Sequence, residues 1–166
     1  MLGRPRHDAI IKAVWATGAS LRLIRDGDIA GVIWTTDAAE TGIDMYLGSG
    51  GAPEGVLAAA ALRCIGGQMQ GRLSPELHSE KERATLIERA RKMGIADIRR
   101  KYTMNEMACD DVIFSATGVT GGSLLDGVHF RGDFAETESV VMRSKTGTVR
   151  RIKTTLRDIG TKFAPV

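Results

Sequence analysis

The sequence predicts a mixed α/β domain, on three observations. Apolar runs are followed by acidic or glycine-rich turns and then by helix-forming segments. The last third instead strings strand-type runs together, at 127–130, 136–143 and 148–155, with turn residues between them, the patterning of antiparallel strands. A chain of 166 residues with 43% hydrophobic and 26% charged content is also long and apolar enough for one core.

Taken in order, Ala9, Ile10, Ala13, Val14 and Ala16 have helical spacing, with Asp8 at the start and Gly18 just past the end. Leu21, Leu23 and Ile24 read as a short strand closed by Asp26-Gly27-Asp28, and residues 29–34 as a second short helix with Asp28 as its N-cap. Residues 35–42 are a polar connection. Ile43, Met45 and Leu47 alternate as a half-buried strand would, leading into Gly48-Ser49-Gly50-Gly51-Ala52-Pro53-Glu54-Gly55. Pro53 suits a first helical turn, so a helix is expected over 53–65, stopped by Gly66-Gly67. A strand follows at 68–73, then a charged amphipathic helix at 79–93 with Leu86, Ile87 and Ala90 on one face and Gly94 as its stop. Residues 105–109 read as a short helix, Val112-Ile113-Phe114 as a buried strand, and 116–122 as a loop, with a short turn opening at Ser123. Residues 161–166 form an irregular end.

Composition narrows the functional classes. A net charge of +3 and a pI near 9.1 are a mild basic excess, which argues against nucleic-acid binding. The longest apolar run, 56–62, is too short for a membrane span, and residues 1–6 lack the pattern of a signal peptide. Cys64 and Cys109 have no metal or redox spacing, Cys64 reads as a buried thiol, and a reducing cytoplasm is the expected compartment. His7, His78 and His129 are scattered and read as surface or satisfied core residues. Trp15, Trp34 and Tyr102 read as packing residues, and Ser115 and Ser123 lack a nucleophile-elbow context.

Three stretches have the residue types of a phosphate site. Arg4 and Arg6 offer planar donor forks suited to phosphate, or else a solvated helix start. Asp26 and Asp28 lie at a strand's carboxyl end, the ligand side of an α/β sheet, or else make an ordinary acidic turn. The glycine stretch at a helix start presents free N–H groups, with Glu54 placed to cap the helix or hold a cation. It matches neither the P-loop nor the dinucleotide fingerprint.

Five motifs stand in order: Arg4-Pro5-Arg6-His7-Asp8, Asp26-Gly27-Asp28, the run from Gly50 through Pro53 and Glu54 to Val56, Met69-Gln70-Gly71-Arg72-Leu73, and Phe114-Ser115-Ala116-Thr117-Gly118-Val119. Together they resemble the bacterial class II fructose-1,6-bisphosphatases, including the dual fructose-/sedoheptulose-bisphosphatases. The resemblance runs from about Gly3 to Thr155 and corresponds to the C-terminal half of that family. It implies the layered α/β/α/β/α sugar-phosphatase fold of the inositol monophosphatase type, with 1–166 as one substrate-binding domain and the N-terminal metal-binding half absent. It further implies Mn²⁺- or Mg²⁺-dependent hydrolysis of the 1-phosphate of fructose 1,6-bisphosphate, in gluconeogenesis. By resemblance, Arg4, Pro5, Arg6, Asp26, Gly27, Asp28 and Gly51 bind substrate and Glu54 is a metal ligand, with no catalytic residue in this half. Asp110 and Asp111 receive no role. The family's other acidic ligands are missing, so little activity is expected of the chain alone. A separate N-terminal half chain is a candidate partner, and homo-oligomers are expected of the full-length family. The alternatives are a non-catalytic sugar-phosphate-binding module and a subunit of a split enzyme, whose exposed half-interface would be apolar.

Overall fold

The computed structural model describes residues 1–157. It is a mixed α/β arrangement of six helices and antiparallel sheets: α1 (Asp8–Ala16), α2 (Asp28–Ile33), α3 (Ala38–Thr41), α4 (Ala52–Ile65), α5 (Glu80–Lys92) and α6 (Met104–Met107), with β1 (Gln70–Gly71), β2 (Tyr102–Thr103), β3 (Ile113–Thr117), β4 (His129–Arg131), β5 (Phe134–Arg143) and β6 (Thr148–Arg157). No described helix is long and apolar enough to cross a membrane.

The helices lie where local chemistry places them. Ser79 caps α5 through a capping box with Glu82, whose Oε2 accepts from the Ser79 N–H at 3.1 Å. Past its last turn Gly94 takes φ +84°, and the Ile95 N–H reaches back to the Ala90 carbonyl at 3.0 Å. Thr103 and Glu106 build the same box at α6. Residues 35–42, expected as a polar connection, instead carry the end of a 3₁₀ turn, Trp34–Thr36, and α3, because Asp37 accepts from the Glu40 N–H and caps the second.

The strands of the last third pair as their pattern predicted. β5 is the spine: β6 lies along its whole length on one edge, and β3 and β4 share the other. Every pairing among these named strands is antiparallel; among the described residues the one parallel element is a single bridge, Leu2 to Ile24. β3 is shifted from the expected 112–114, and Ile113 points outward at 69% exposure while Phe114 is buried. This alternation is what a sheet covered on one face imposes. Two expected strands are corrected. Leu21, Leu23 and Ile24 make only the bridge to Leu2, with Leu23 exposed, and Ile43, Met45 and Leu47 form no strand. In the second case Tyr46 packs inward, Met45 and Leu47 are exposed and Ile43 is half-buried, so burial does not alternate along the stretch as expected. The strand expected over 68–73 shrinks to β1, paired with β2. Trp15 is exposed rather than packed, Trp34 lies under the Arg22 guanidinium and Tyr102 under that of Arg100. The expected irregular end at 161–166 falls outside the described residues.

Helix α4 organises the core. Ala61 and Cys64 pack with Ile33 and Leu125 against Phe114, Val140 and Met142 of the sheet, while Ala58 and Leu62 meet Val32, Tyr46, Met69 and Met104. Small residues let the helix approach both layers at once. Burial pushes the Cys64 thiol up from its ordinary range, which suits the expected inert buried cysteine.

The loop after β3 depends on one glycine. Gly118 donates to the Glu138 carbonyl at 2.9 Å, and a Cβ there would land on the Asp126 carbonyl oxygen and lie 2.9 Å from its carbon. Backbone cannot yield as a side-chain tip can. Gly118→Ala should therefore destabilise the chain by about 1–3 kcal/mol, read from urea midpoints. An unchanged midpoint would overturn this packing argument.

Candidate active site

The parallel bridge gives the site its geometry. The Gly3 N–H donates to the Ile24 carbonyl at 2.9 Å, and the Ile24 N–H to the Met1 carbonyl at 3.0 Å. Two segments that run parallel leave their pairing at the same end, so Arg4-Pro5-Arg6 and Asp26-Gly27-Asp28 emerge side by side. Pro5 starts a 3₁₀ turn, Pro5–His7, that turns the chain back. Gly27 takes φ 72°, ψ 47°, a left-handed conformation that lets α2 start at once with Asp28. Arg4 ties the two loops together by donating from Nη2 to the Arg25 carbonyl at 3.0 Å.

The glycine stretch is drawn onto the same end by two side chains. Arg6 donates through Nε to the Ser49 carbonyl at 3.0 Å. His7 is fully buried between the first loop and the third. Its Nδ1 lies 2.8 Å from the Leu2 carbonyl, which can only accept, so Nδ1 carries the proton. Nε2 is then the acceptor for the Ser49 N–H at 2.9 Å and the Ser49 hydroxyl at 3.0 Å. His7 thus belongs with the satisfied core histidines, yet what it satisfies is the site's scaffold. Its role was not legible in a lone histidine, although its place in the Arg4-to-Asp8 run was a signal.

The result is an open cleft of about 400 Å³ lined by Leu2, Arg4, Arg6, Asp26, Gly27, Asp28, Gly50, Gly51 and Glu54. It gathers every predicted site residue except Pro5, which shapes the turn without lining the cleft. Gly51 is the N-cap of α4 and, as a glycine, has no side chain to cap the helix end. The Glu54 carboxylate folds back over Gly51, where a Cβ would collide with Oε2. From the other side Asp28 Oδ2 faces Gly50, 3.6 Å from where a Cβ would stand. The two glycines leave space for two carboxylates.

Tyr46 is a second residue that sequence reasoning passed over. Its ring fills the space above Gly31 and Gly48, where added Cβ atoms would come within 2.9 and 3.3 Å of it. Burial and, secondarily, the Asp28 charge push its hydroxyl above the ordinary phenol range, with Arg6 opposing. A glycine inside the six-residue α2 was the available signal of close approach. Asp110 and Asp111 lie elsewhere: the Asp110 carbonyl holds Arg63 at 3.0 Å, and Asp111 pairs with Lys145 at 3.1 Å.

Among the described residues no group of three or more His, Cys, Asp or Glu side chains is placed to hold a metal ion. Asp26, Asp28 and Glu54 share the cleft without forming such a set, so the residues present do not fit a complete metal centre. A smaller depression of about 140 Å³ over β5 and β6 is lined by paired charges, Asp126 with Lys153 at 3.7 Å and Glu138 with Arg151, which lies outside the lining, at 3.6 Å.

The family model described as bacterial fructose-1,6-bisphosphatase, glpX-encoded, matches residues 1–156. The fructose-1,6-bisphosphatase class 2 of Haemophilus influenzae is 41% identical over 162 residues, covering 92% of this chain and 48% of that protein. The D-fructose 1,6-bisphosphatase class 2/sedoheptulose 1,7-bisphosphatases of Crocosphaera subtropica and Synechococcus elongatus are 41% and 40% identical over 161 residues, covering 93% of this chain and 46% of each. The chain therefore spans about half the length of the curated relatives it matches. With the motifs in order and the match running from residue 1 to residue 156, the chain belongs to the bacterial class 2 fructose-1,6-bisphosphatase family.

Proposed function

We propose that this chain forms the sugar-bisphosphate-binding half of a class 2 fructose-bisphosphatase active site, at which the 1-phosphate of fructose 1,6-bisphosphate is hydrolysed. The convergence of three separate loops on one cleft carries this reading. Arg4 and Arg6 grip phosphate through charge-assisted N–H donors, with Pro5 fixing their turn. Asp26 and Asp28 accept from sugar hydroxyls, and Gly27 keeps that turn tight. Gly51 lets substrate approach the backbone N–H groups at the start of α4. In this reading residues 1–166 are one domain, the C-terminal part of a layered α/β/α/β/α sugar phosphatase working in the cytoplasm as a homo-oligomer.

Charge balance supports a divalent cation at this site. Two guanidinium groups and three carboxylates line the cleft, a surplus of one negative charge facing a strongly anionic substrate. Binding then needs added positive charge, which Mn²⁺ or Mg²⁺ would supply, with chemistry of the kind oxygen-bound divalent ions give phosphate esters. We assign Glu54 as one ligand of that centre, the others coming from the remainder of the enzyme. A second reading, a sugar-phosphate-binding module without chemistry, draws on the incomplete carboxylate set.

Titrating fructose 1,6-bisphosphate into the chain by calorimetry, with and without Mn²⁺, tests the binding reading. Arg4→Ala and Arg6→Ala should each weaken binding roughly tenfold or more, the loss expected for a charge-assisted bond. Lys145→Ala, remote from the cleft, should leave it unchanged. Equal binding by the doubly substituted Arg4/Arg6 chain would overturn the assignment.

A further inference from the structure

Residues 43–48 have a strand's sequence and lack a strand's partner. Among the described residues no backbone N–H or C=O of Asp44, Met45, Tyr46, Leu47 or Gly48 takes a hydrogen bond. None of the five has a positive φ, and none belongs to a helix. Tyr46 is packed against Val32, Ala58 and Leu62, whereas Met45 and Leu47 are 69% and 41% exposed. The stretch is nonetheless held at both ends. The Ile43 N–H donates to Thr41 Oγ1 at 3.2 Å, and the Ser49 N–H to His7 Nε2 at 2.9 Å. A fixed segment with open backbone groups and an outward apolar pair is what recruits an additional strand.

We infer that residues 44–48 are an open edge that pairs with a strand of the polypeptide carrying the other half of the bisphosphatase. The inference rests on the reading of this chain as half an active site. Two facts select the occupant. The chain matches over 92% of its length a relative of which it covers only 48%, so the family's protein contains a second portion of similar size. Glu54 also lacks companions enough to hold a metal among the described residues, so the completing groups must reach the Gly50 to Glu54 turn from outside. The open edge runs straight into that turn. A strand laid along it has one end at the Gly50 to Glu54 turn, which brings the residues flanking that end to the cleft.

The probe is the portion of the Haemophilus influenzae relative that this chain does not match, expressed as a separate polypeptide. In the chain alone the amides of residues 44–48 should exchange freely with deuterium; with the probe added, alternate ones should slow at least about tenfold. Successive strand N–H groups point to opposite edges, so Asp44→Pro and Met45→Pro each remove a donor from a different side. Neither donor has a partner within the chain, so both variants should melt as the parent does. One of the two should bind the probe about tenfold or more weakly. Parental binding by both variants, no probe binding by the parent chain, or protection that rises with chain concentration without probe would each overturn the inference, the last pointing to a second copy. A probe that restores turnover while exchange at 44–48 stays fast overturns the edge alone. Loss of bisphosphate binding with the edge protected overturns the functional reading alone.

Discussion

Purified by itself and supplied with fructose 1,6-bisphosphate and Mn²⁺, the chain should release phosphate at least about a million-fold more slowly than a complete class 2 enzyme. Enzymes accelerate their reactions by about 10⁶-fold or more, and phosphate monoesters are among the slowest to hydrolyse unaided. Hydrolysis of this kind uses cations about 3.5–4 Å apart to activate the attacking water and stabilise the leaving oxygen. The cleft brings the arginines proposed to grip phosphate and Glu54, the proposed metal ligand, but no set of side chains that would hold such a pair among the described residues. Binding and turnover should therefore separate: the bisphosphate binds, and its ester bond survives. Phosphate release measured by a coupled assay, with the chain alone and then with the complementary polypeptide added, checks this. Enzyme-like turnover by the chain alone, abolished by Arg6→Ala and so not a contaminant's, would overturn it.

Five of the six helices were legible in the sequence, α3 being missed, and five of the seven expected strands, one of them shrunk to β1, for a physical reason. α4 and α5 carry their own start and stop signals, Pro53 and Gly66 in one, Ser79, Glu82 and Gly94 in the other, so local chemistry suffices. A strand has no such autonomy. Residues 134–143 and 148–157 become strands because each finds the other across the Ser144–Thr146 turn, whereas 43–47 have an alternating sequence and, among the described residues, no neighbouring strand. The expected half-buried strand there shows what a pattern can and cannot say: an apolar alternation was readable, but which residues would be buried and where a partner would come from were not. The site followed a similar rule. That Arg4, Arg6, Asp26, Asp28, Gly51 and Glu54 would meet was argued from resemblance and from the ends of apolar runs, and the cleft brings them together. How they are held was hidden, since nothing in a single histidine distinguishes a scaffold from a surface residue until Leu2 and Ser49 are seen on either side of its ring.

Replacing that histidine should cost more than any other single change near the cleft. His7→Ala removes a fully buried ring and leaves the Ser49 N–H without its acceptor and the Leu2 carbonyl without its donor. A cavity term and two orphaned backbone groups together predict a loss of about 3–5 kcal/mol, a large part of an ordinary domain's stability. Urea unfolding gives this directly. The more informative result concerns the cleft at temperatures where the variant is still folded. Arg6 reaches only the Ser49 carbonyl, so without His7 the glycine stretch keeps one tether of two, and bisphosphate affinity should fall beyond what the unfolded fraction explains. Asparagine and glutamine separate the tethers, because the amide of His7→Asn is placed to imitate Nδ1 and that of His7→Gln to imitate Nε2. If holding Ser49 is what matters for binding, glutamine should recover affinity more fully than stability, and asparagine the reverse. Equal recovery of both by either amide would mean that His7 fills space and nothing more. The ordering of the two variants thus decides whether the glycine turn is built by its glycines alone or is held in place by the residue next to Arg6, the arginine proposed to grip the substrate.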